Sequence, residues 1–150
     1  MKNARIVGVT AVVVFALIAV AIAAAKPTTR PATVTTARTG LGQIVADGRG
    51  RSLYLFEKDS KGRSACSGAC TVYWPPLLTS GKASAIKGAK ASLLGSIRRA
   101  DGSRQVTYAG HPLYLFSGDT RRGQTNGEGL KDFGASWYVL TPAGKKIDRD

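Results

Sequence analysis

The sequence predicts an all-β fold in which two tandem, pseudo-equivalent antiparallel β units pack into one small domain, with a short helical turn between them. Two observations predict it. Leu53-Tyr54-Leu55-Phe56 recurs as Leu113-Tyr114-Leu115-Phe116, and each copy is followed three residues later by an acid, Asp59 and Asp119. Glycine-centred turn signals separate the apolar runs at the spacing of hairpins.

Taken in chain order, the N-terminus comes first. Lys2 and Arg5 precede an uncharged run over residues 6–25, which closes on Ala21-Ile22-Ala23-Ala24-Ala25. A basic start, an apolar centre and a small-residue end are the layout of a secretory signal. At 20 residues the run also matches the length of about 20 that crosses a bilayer, so residues 1–25 are a signal peptide or a membrane anchor. Lys26, Arg30 and Arg38 on the far side offset Lys2 and Arg5, so charge bias leaves orientation open. Residues 26–40, KPTTRPATVTTARTG, offer little to a core and read as a flexible tether. The exported domain is expected over 41–150, with repeat one at about 41–80 and repeat two at about 104–146.

Within the domain, Gln43-Ile44 answers Gln105-Val106, and Trp74 answers Trp137. Asp47-Gly48 with Gly50, and Gly110-His111-Pro112, supply the turns ahead of the two Leu-Tyr-Leu-Phe strands. Asp101-Gly102 makes a third hairpin between Ile97-Arg98-Arg99 and the run from Arg104 to Tyr108. Alternation puts Tyr54 and Phe56 on one face and Leu53 and Leu55 on the other. Both faces are apolar, so each strand is expected between two layers. Residues 91–94, ended by Gly95, are the helical candidate. Asp59 and Asp119 open polar turns and read as caps whose carboxylates accept backbone N–H groups.

The doubled pattern Tyr54-x-Phe56-x-x-Asp59 and Tyr114-x-Phe116-x-x-Asp119, with Cys66, Cys70 and Trp74-Pro75-Pro76-Leu77, resembles the bacterial secreted-repeat lipoproteins that carry a Y-x-[FWY]-x-x-D motif. The likeness covers nearly the whole exported part. That family is a secreted repeat of unknown function, so the resemblance implies an extracytoplasmic location and a tandem architecture, but no reaction. This chain lacks a Cys near residue 25 to carry a lipid.

Composition and motifs narrow the chemistry. The formal charge is +13, and setting aside Lys2 and Arg5 leaves 20 basic against 9 acidic side chains, a net of +11. A field of that sign attracts polyanions. The candidate anion-binding residues are Arg98, Arg99, Arg121, Arg122, Lys145 and Lys146. Anionic wall polymers and lipid headgroups are the expected partners, with no specific nucleic acid. The N-terminal segment adds the membrane itself if it is not cleaved.

Cys66 and Cys70, in an oxidising compartment, read first as a disulfide. Two thiolates with His111 are the weak alternative for metal, haem or redox handling. They fall short of a four-ligand site and of the Cys-x-x-Cys spacing of redox motifs. No catalytic residues and no cofactor are assigned, because the single His111 between Gly110 and Pro112 reads as an exposed turn residue and gives a nucleophile little to work with. Asp132-Phe133-Gly134 imitates a kinase signature without its companions. The polar loop at 123–129 is either a binding loop or a plain connection. The aromatics gathered around the two motifs read as core, with a pocket between the repeats as the alternative.

Overall fold

The computed structural model describes residues 30–148; the proposed signal or anchor at 1–25 lies outside them. The strands are β1 (Thr33–Thr39), β2 (Gly42–Asp47), β3 (Tyr54–Phe56), β4 (Ser84–Ala85), β5 (Leu94–Arg98), β6 (Arg104–Tyr108), β7 (His111–Pro112), β8 (Lys131–Asp132) and β9 (Ala135–Val139). One helical turn, α1 (Cys70–Tyr73), and a 3-10 turn at Ala91–Leu93 complete the set. The strands form three small sheets, ordered β2-β1-β4, β3-β9-β8 and β5-β6-β7. The fold is mostly β, as the sequence predicts; the one departure from antiparallel pairing is β1 with β4.

Strand β1 corrects the tether. From Thr33 onward that segment pairs with β2, from Val34 opposite Asp47 to Thr39 opposite Gly42. Val34 is fully buried and Thr35 nearly so. Thr and Val are β-branched and fit a pleated, half-buried surface, so a stretch that composition reads as solvated is a strand. Its counterpart in the second repeat is β5, which pairs with β6 across the Asp101-Gly102 hairpin expected from sequence.

The two hairpins β1–β2 and β5–β6 occupy equivalent places. Leu53 N–H donates to Val45 O at 3.1 Å, and Leu113 N–H donates to Val106 O at 3.0 Å. Val45 therefore matches Val106, and Ile44 stands where Gln105 does. The sequence pairing of Gln43 with Gln105 is off by one residue: Gln43 is exposed, whereas Gln105 is fully buried. Gln105 is kept inside by its amide, which donates to Leu113 O at 2.8 Å and accepts from Arg99 at 2.6 Å.

Tyr54 and Tyr114 exchange backbone hydrogen bonds at the centre, 2.9 and 3.0 Å long. Each motif segment then takes its outer partner from the other repeat. Strand β3 of repeat one pairs with β9 of repeat two, Leu55 opposite Tyr138 and Phe56 opposite Trp137. Reciprocally, Leu115 N–H donates to Pro75 O at 2.8 Å and Ser117 N–H to Tyr73 O at 2.8 Å. Here the ladder stays fragmentary, because Pro75 and Pro76 have no N–H to contribute. The repeats are interlocked.

Both faces of β3 are buried, as the alternation predicts; the second copy is no strand but an extended segment bridged at Tyr114, with Leu113 and Tyr114 buried and Leu115 and Phe116 half-buried. Leu53, Leu55 and Leu113 join Val34, Val45, Val106, Tyr108, Tyr138 and Leu140 in one cluster. Tyr54, Phe56 and Tyr114 join Ile44, Cys66, Cys70, Trp74, Trp137 and Val139 in the other.

Two local expectations shift. The turn before the second motif is Ala109-Gly110, at φ 51° and 84°, so His111 opens β7 opposite Tyr108 and is half-buried, not at a hairpin tip. The helical candidate is a 3-10 turn that ends at Leu93, with Leu94 and Gly95 already in β5. The helix α1 was not foreseen from sequence; it sits where the disulfide closes.

Candidate functional site

The repeat motif builds the centre of the molecule. Tyr54 Oη donates to Asp119 Oδ2 at 2.6 Å, and Tyr114 Oη donates to Asp59 Oδ2 at 2.8 Å. Each tyrosine thus meets the acid of the opposite copy. The remaining carboxylate oxygens accept backbone N–H groups, Asp59 Oδ1 from Ala65 at 2.7 Å and Asp119 Oδ1 from Asn126 at 2.9 Å. The caps expected at these acids exist, but they close loops six and seven residues long and are half of a crossed pair that sequence reasoning missed.

The aromatic rings cross in the same way. Phe56 stacks on Trp137 at 4.0 Å between centroids, Trp137 on Trp74 at 3.9 Å, and Phe116 lies on the other side of Trp74 at 4.4 Å. Tyr54 and Tyr114 meet Trp74 and Trp137 edge-on at 5.4 and 5.1 Å, the arrangement ring quadrupoles favour. Both indoles are fully buried. The Gly-dense loop at 123–129 closes over this stack: a Cβ on Gly127 would sit 2.7 Å from the Trp74 ring, so only glycine lets the backbone approach so closely.

Burial sets the protonation of the centre. It pushes the Tyr54 and Tyr114 hydroxyls well above their ordinary range, and the facing carboxylates add to the shift. Burial likewise raises Asp59 and Asp119, against the hydrogen bonds they accept. The tyrosines therefore remain neutral donors. Asp59, Phe56, Asp119 and their partners are committed to one another, so the motif is a packing device.

Cys66 and Cys70 are joined in a disulfide and both are buried. It pins α1 to the loop after the first motif, and Arg99 donates to Cys66 O at 2.6 Å. Reduction by dithiothreitol is expected to lower unfolding stability by about 2 kcal/mol, the chain-entropy value for so small a ring, read as a lower denaturant midpoint. His111 lines a different recess, of about 420 Å³, with Glu57, Lys145 and Lys146; burial lowers its pKa, so the ring is neutral at physiological pH. Among the described residues no three of His, Cys, Asp and Glu gather as a metal-binding group.

The six basic candidates fall in three separate places. Arg98 and Arg99 line a recess of about 770 Å³ together with Arg63, Ser64 and Ser67. Arg99 is largely structural there, bonded to Ser64 Oγ at 2.9 Å, Gln105 and Cys66 O. Lys146 pairs with Glu57 and Asp148, each at 2.7 Å, beside Lys145. Arg121 and Arg122 line an open recess of about 750 Å³ with Arg49, Arg51 and Thr120. Arg49, Arg51 and Arg63 went unnoticed in the sequence; Arg49 and Arg51 flank the turn glycine Gly50, a signal that was there to read.

Comparison with curated proteins and with solved structures returned no match. Two segments of the chain, 35–78 and 95–141, match the family described as a secreted repeat of unknown function. Each match begins earlier than the sequence boundaries of 41 and 104, because each copy includes the first strand of its hairpin, most of β1 in one and β5 in the other. With more than half of its length in these two segments, the chain belongs to the family of secreted repeats of unknown function, which makes it an extracytoplasmic module.

Proposed function

We propose that the protein is a non-enzymatic binding module of the cell envelope that holds a multivalent phosphate or carboxylate anion, needs no cofactor, and stays at the outer face of the membrane if its N-terminal segment is retained. The observation that supports the reading is the convergence of Arg49 and Arg51 from repeat one with Arg121 and Arg122 from repeat two around one open recess. Arg49, Arg121 and Arg122 are exposed, while Arg51 is held by Asp47 at 2.7 Å. The two loops are tied together: Gly123 N–H donates to Gly50 O at 3.3 Å, and Ser52 Oγ to Gln124 O at 2.5 Å. Arginine forks match phosphate and carboxylate oxygens two bonds at a time, and the tied loops keep their backbone attachments close together.

The test is binding of the full-length protein to soluble poly(glycerol phosphate) and to phosphatidylglycerol vesicles, titrated with salt. Affinity should fall steeply as ionic strength rises, and Arg121→Ala with Arg122→Ala should weaken it roughly tenfold, or about 1.4 kcal/mol. Preference between the two anions identifies the source. Binding that ignores both salt and the arginines rejects the proposal.

The redox or metal reading, through Cys66, Cys70 and His111, has less support. Both sulfurs are already bonded to each other, and His111 lines a recess that neither cysteine reaches.

A further inference from the structure

Among the described residues most large apolar side chains are inside, and Val72, Tyr73, Ile86, Leu130 and Phe133 are exposed. Single exposed apolar residues are ordinary. Four of these five are not single. Val72 and Tyr73 end α1, Leu130 and Phe133 flank β8, and the Tyr73 and Phe133 rings meet at 6.1 Å. The two segments come from different repeats and together make one apolar tip, the kind of patch that marks an interaction surface.

The backbone at the tip points the same way. Phe133 and Gly134 are the two central residues of the β8–β9 turn, between the pair Asp132 and Ala135. Both have positive φ, 57° and 92°, where asparagine or glycine is the ordinary occupant of the first position. A bulky aromatic there is an outlier, of the kind that accumulates where function requires a particular side chain in place.

Charge supplies the third observation. Lys58 Nζ donates to Phe133 O at 3.3 Å, and Lys131 is exposed in β8 between Leu130 and Phe133. The neighbouring acids are occupied or withdrawn. Glu57 pairs with Lys146, Asp59 is bonded to Tyr114, Glu128 accepts from Val139 N–H at 2.7 Å, and Asp132 is half-buried. Two exposed lysines, Lys58 and Lys131, thus stand at the rim against the half-buried Asp132.

We propose that Tyr73 and Phe133, with Val72, Leu130, Lys58 and Lys131, form a docking tip for an anionic phospholipid leaflet. Aromatic rings settle at the headgroup boundary, where one end is apolar and the other wet, and ammonium groups beside them are attracted by anionic lipid. An uncharged run long enough to cross a bilayer lies upstream at 6–25 in the same chain, and if retained it holds the domain beside such a surface. A second copy of the chain is the poorer occupant, because a two-fold contact would bring two lysine-bearing rims together. The tip uses none of the arginines of the recess proposed above, so the two sites stand or fall separately.

The test places a reporter at the tip. Full-length Phe133→Trp protein is reconstituted into vesicles of mixed phosphatidylglycerol and phosphatidylcholine, and into vesicles of phosphatidylcholine alone. Trp74 and Trp137 are fully buried, so the wild-type signal is subtracted as background. The added emission should shift to the blue and be quenched several-fold more by brominated acyl chains in the anionic vesicles than in the neutral ones. Lys58→Glu with Lys131→Glu should abolish that difference while the near-ultraviolet dichroism stays unchanged. Equal quenching in the two lipids, or access of aqueous iodide to the tip in anionic vesicles, overturns the proposal. So does a concentration-dependent blue shift without lipid, which would assign the tip to a second copy.

Discussion

Trp137→Ala is expected to cost about 3–5 kcal/mol, the usual range for removing a buried aromatic side chain, and so to leave the domain at the edge of unfolding. The indole lies between Phe56 and Trp74, at 4.0 and 3.9 Å, and meets the edge of Tyr114. Its loss opens a void in the middle of a four-ring stack whose outer members belong to opposite repeats. The neighbours have little freedom to collapse into it. Trp74 is closed over by Gly127, and Tyr114 is tethered to Asp59. A domain of this size has only about 5–15 kcal/mol to lose. Thermal or denaturant melts followed by dichroism check the value, and a loss under about 1 kcal/mol would contradict the core role of the stack.

The second large effect is expected at the crossed hydroxyl–carboxylate pairs. Tyr54→Phe removes the donor to Asp119 and leaves a buried carboxylate short of a partner, at a cost of about 1–3 kcal/mol. Combined with Asp119→Asn, the two losses should fall short of their sum, because both break one contact. The pH dependence has a definite sign. Burial raises both tyrosines in the folded state, so their stabilisation is complete below the unfolded value near 10 and drains away as pH rises beyond it. The acids follow the same rule at lower pH. Asp59 and Asp119 are raised from 3.8, so their contribution is full below that value and fades as pH climbs through the folded one. The domain should therefore lose stability in alkali; between neutral and mildly acidic pH the two acids favour the acidic side, while His111, whose pKa burial lowers, acts against them. Tyr54→Phe should blunt the alkaline loss, and melts across pH 4 to 11 check both arms.

Much of the β frame was legible because it depends on local rules. The two-sided strand β3, the Asp101-Gly102 hairpin and the disulfide all follow from alternation, turn chemistry and compartment, whereas the second Leu-Tyr-Leu-Phe copy forms bridges at Tyr114 and no strand. Strand β1 was missed because threonine counts as polar in composition yet is β-branched in conformation; Thr35 is buried beside Val34. The crossing was illegible for a different reason. Tyr54 and Asp59 stand close in sequence and suggest a local pair, but Tyr54 bonds Asp119, 65 residues away. A repeated motif is equally consistent with contacts inside each copy and between copies. The basic candidates scattered because net charge carries no positions, and the hydrogen bonds between the loops at Gly50 and Gly123 bring Arg49 and Arg121 to one recess.

Interlocking also makes the two halves depend on each other for folding. Strand β3 needs β9, Phe56 needs Trp137 and Tyr54 needs Asp119, so a chain cut between the repeats leaves each half without its core partners. Closing contacts so distant along the chain is entropically slow, and assembly of the domain therefore waits on the arrival of the second repeat.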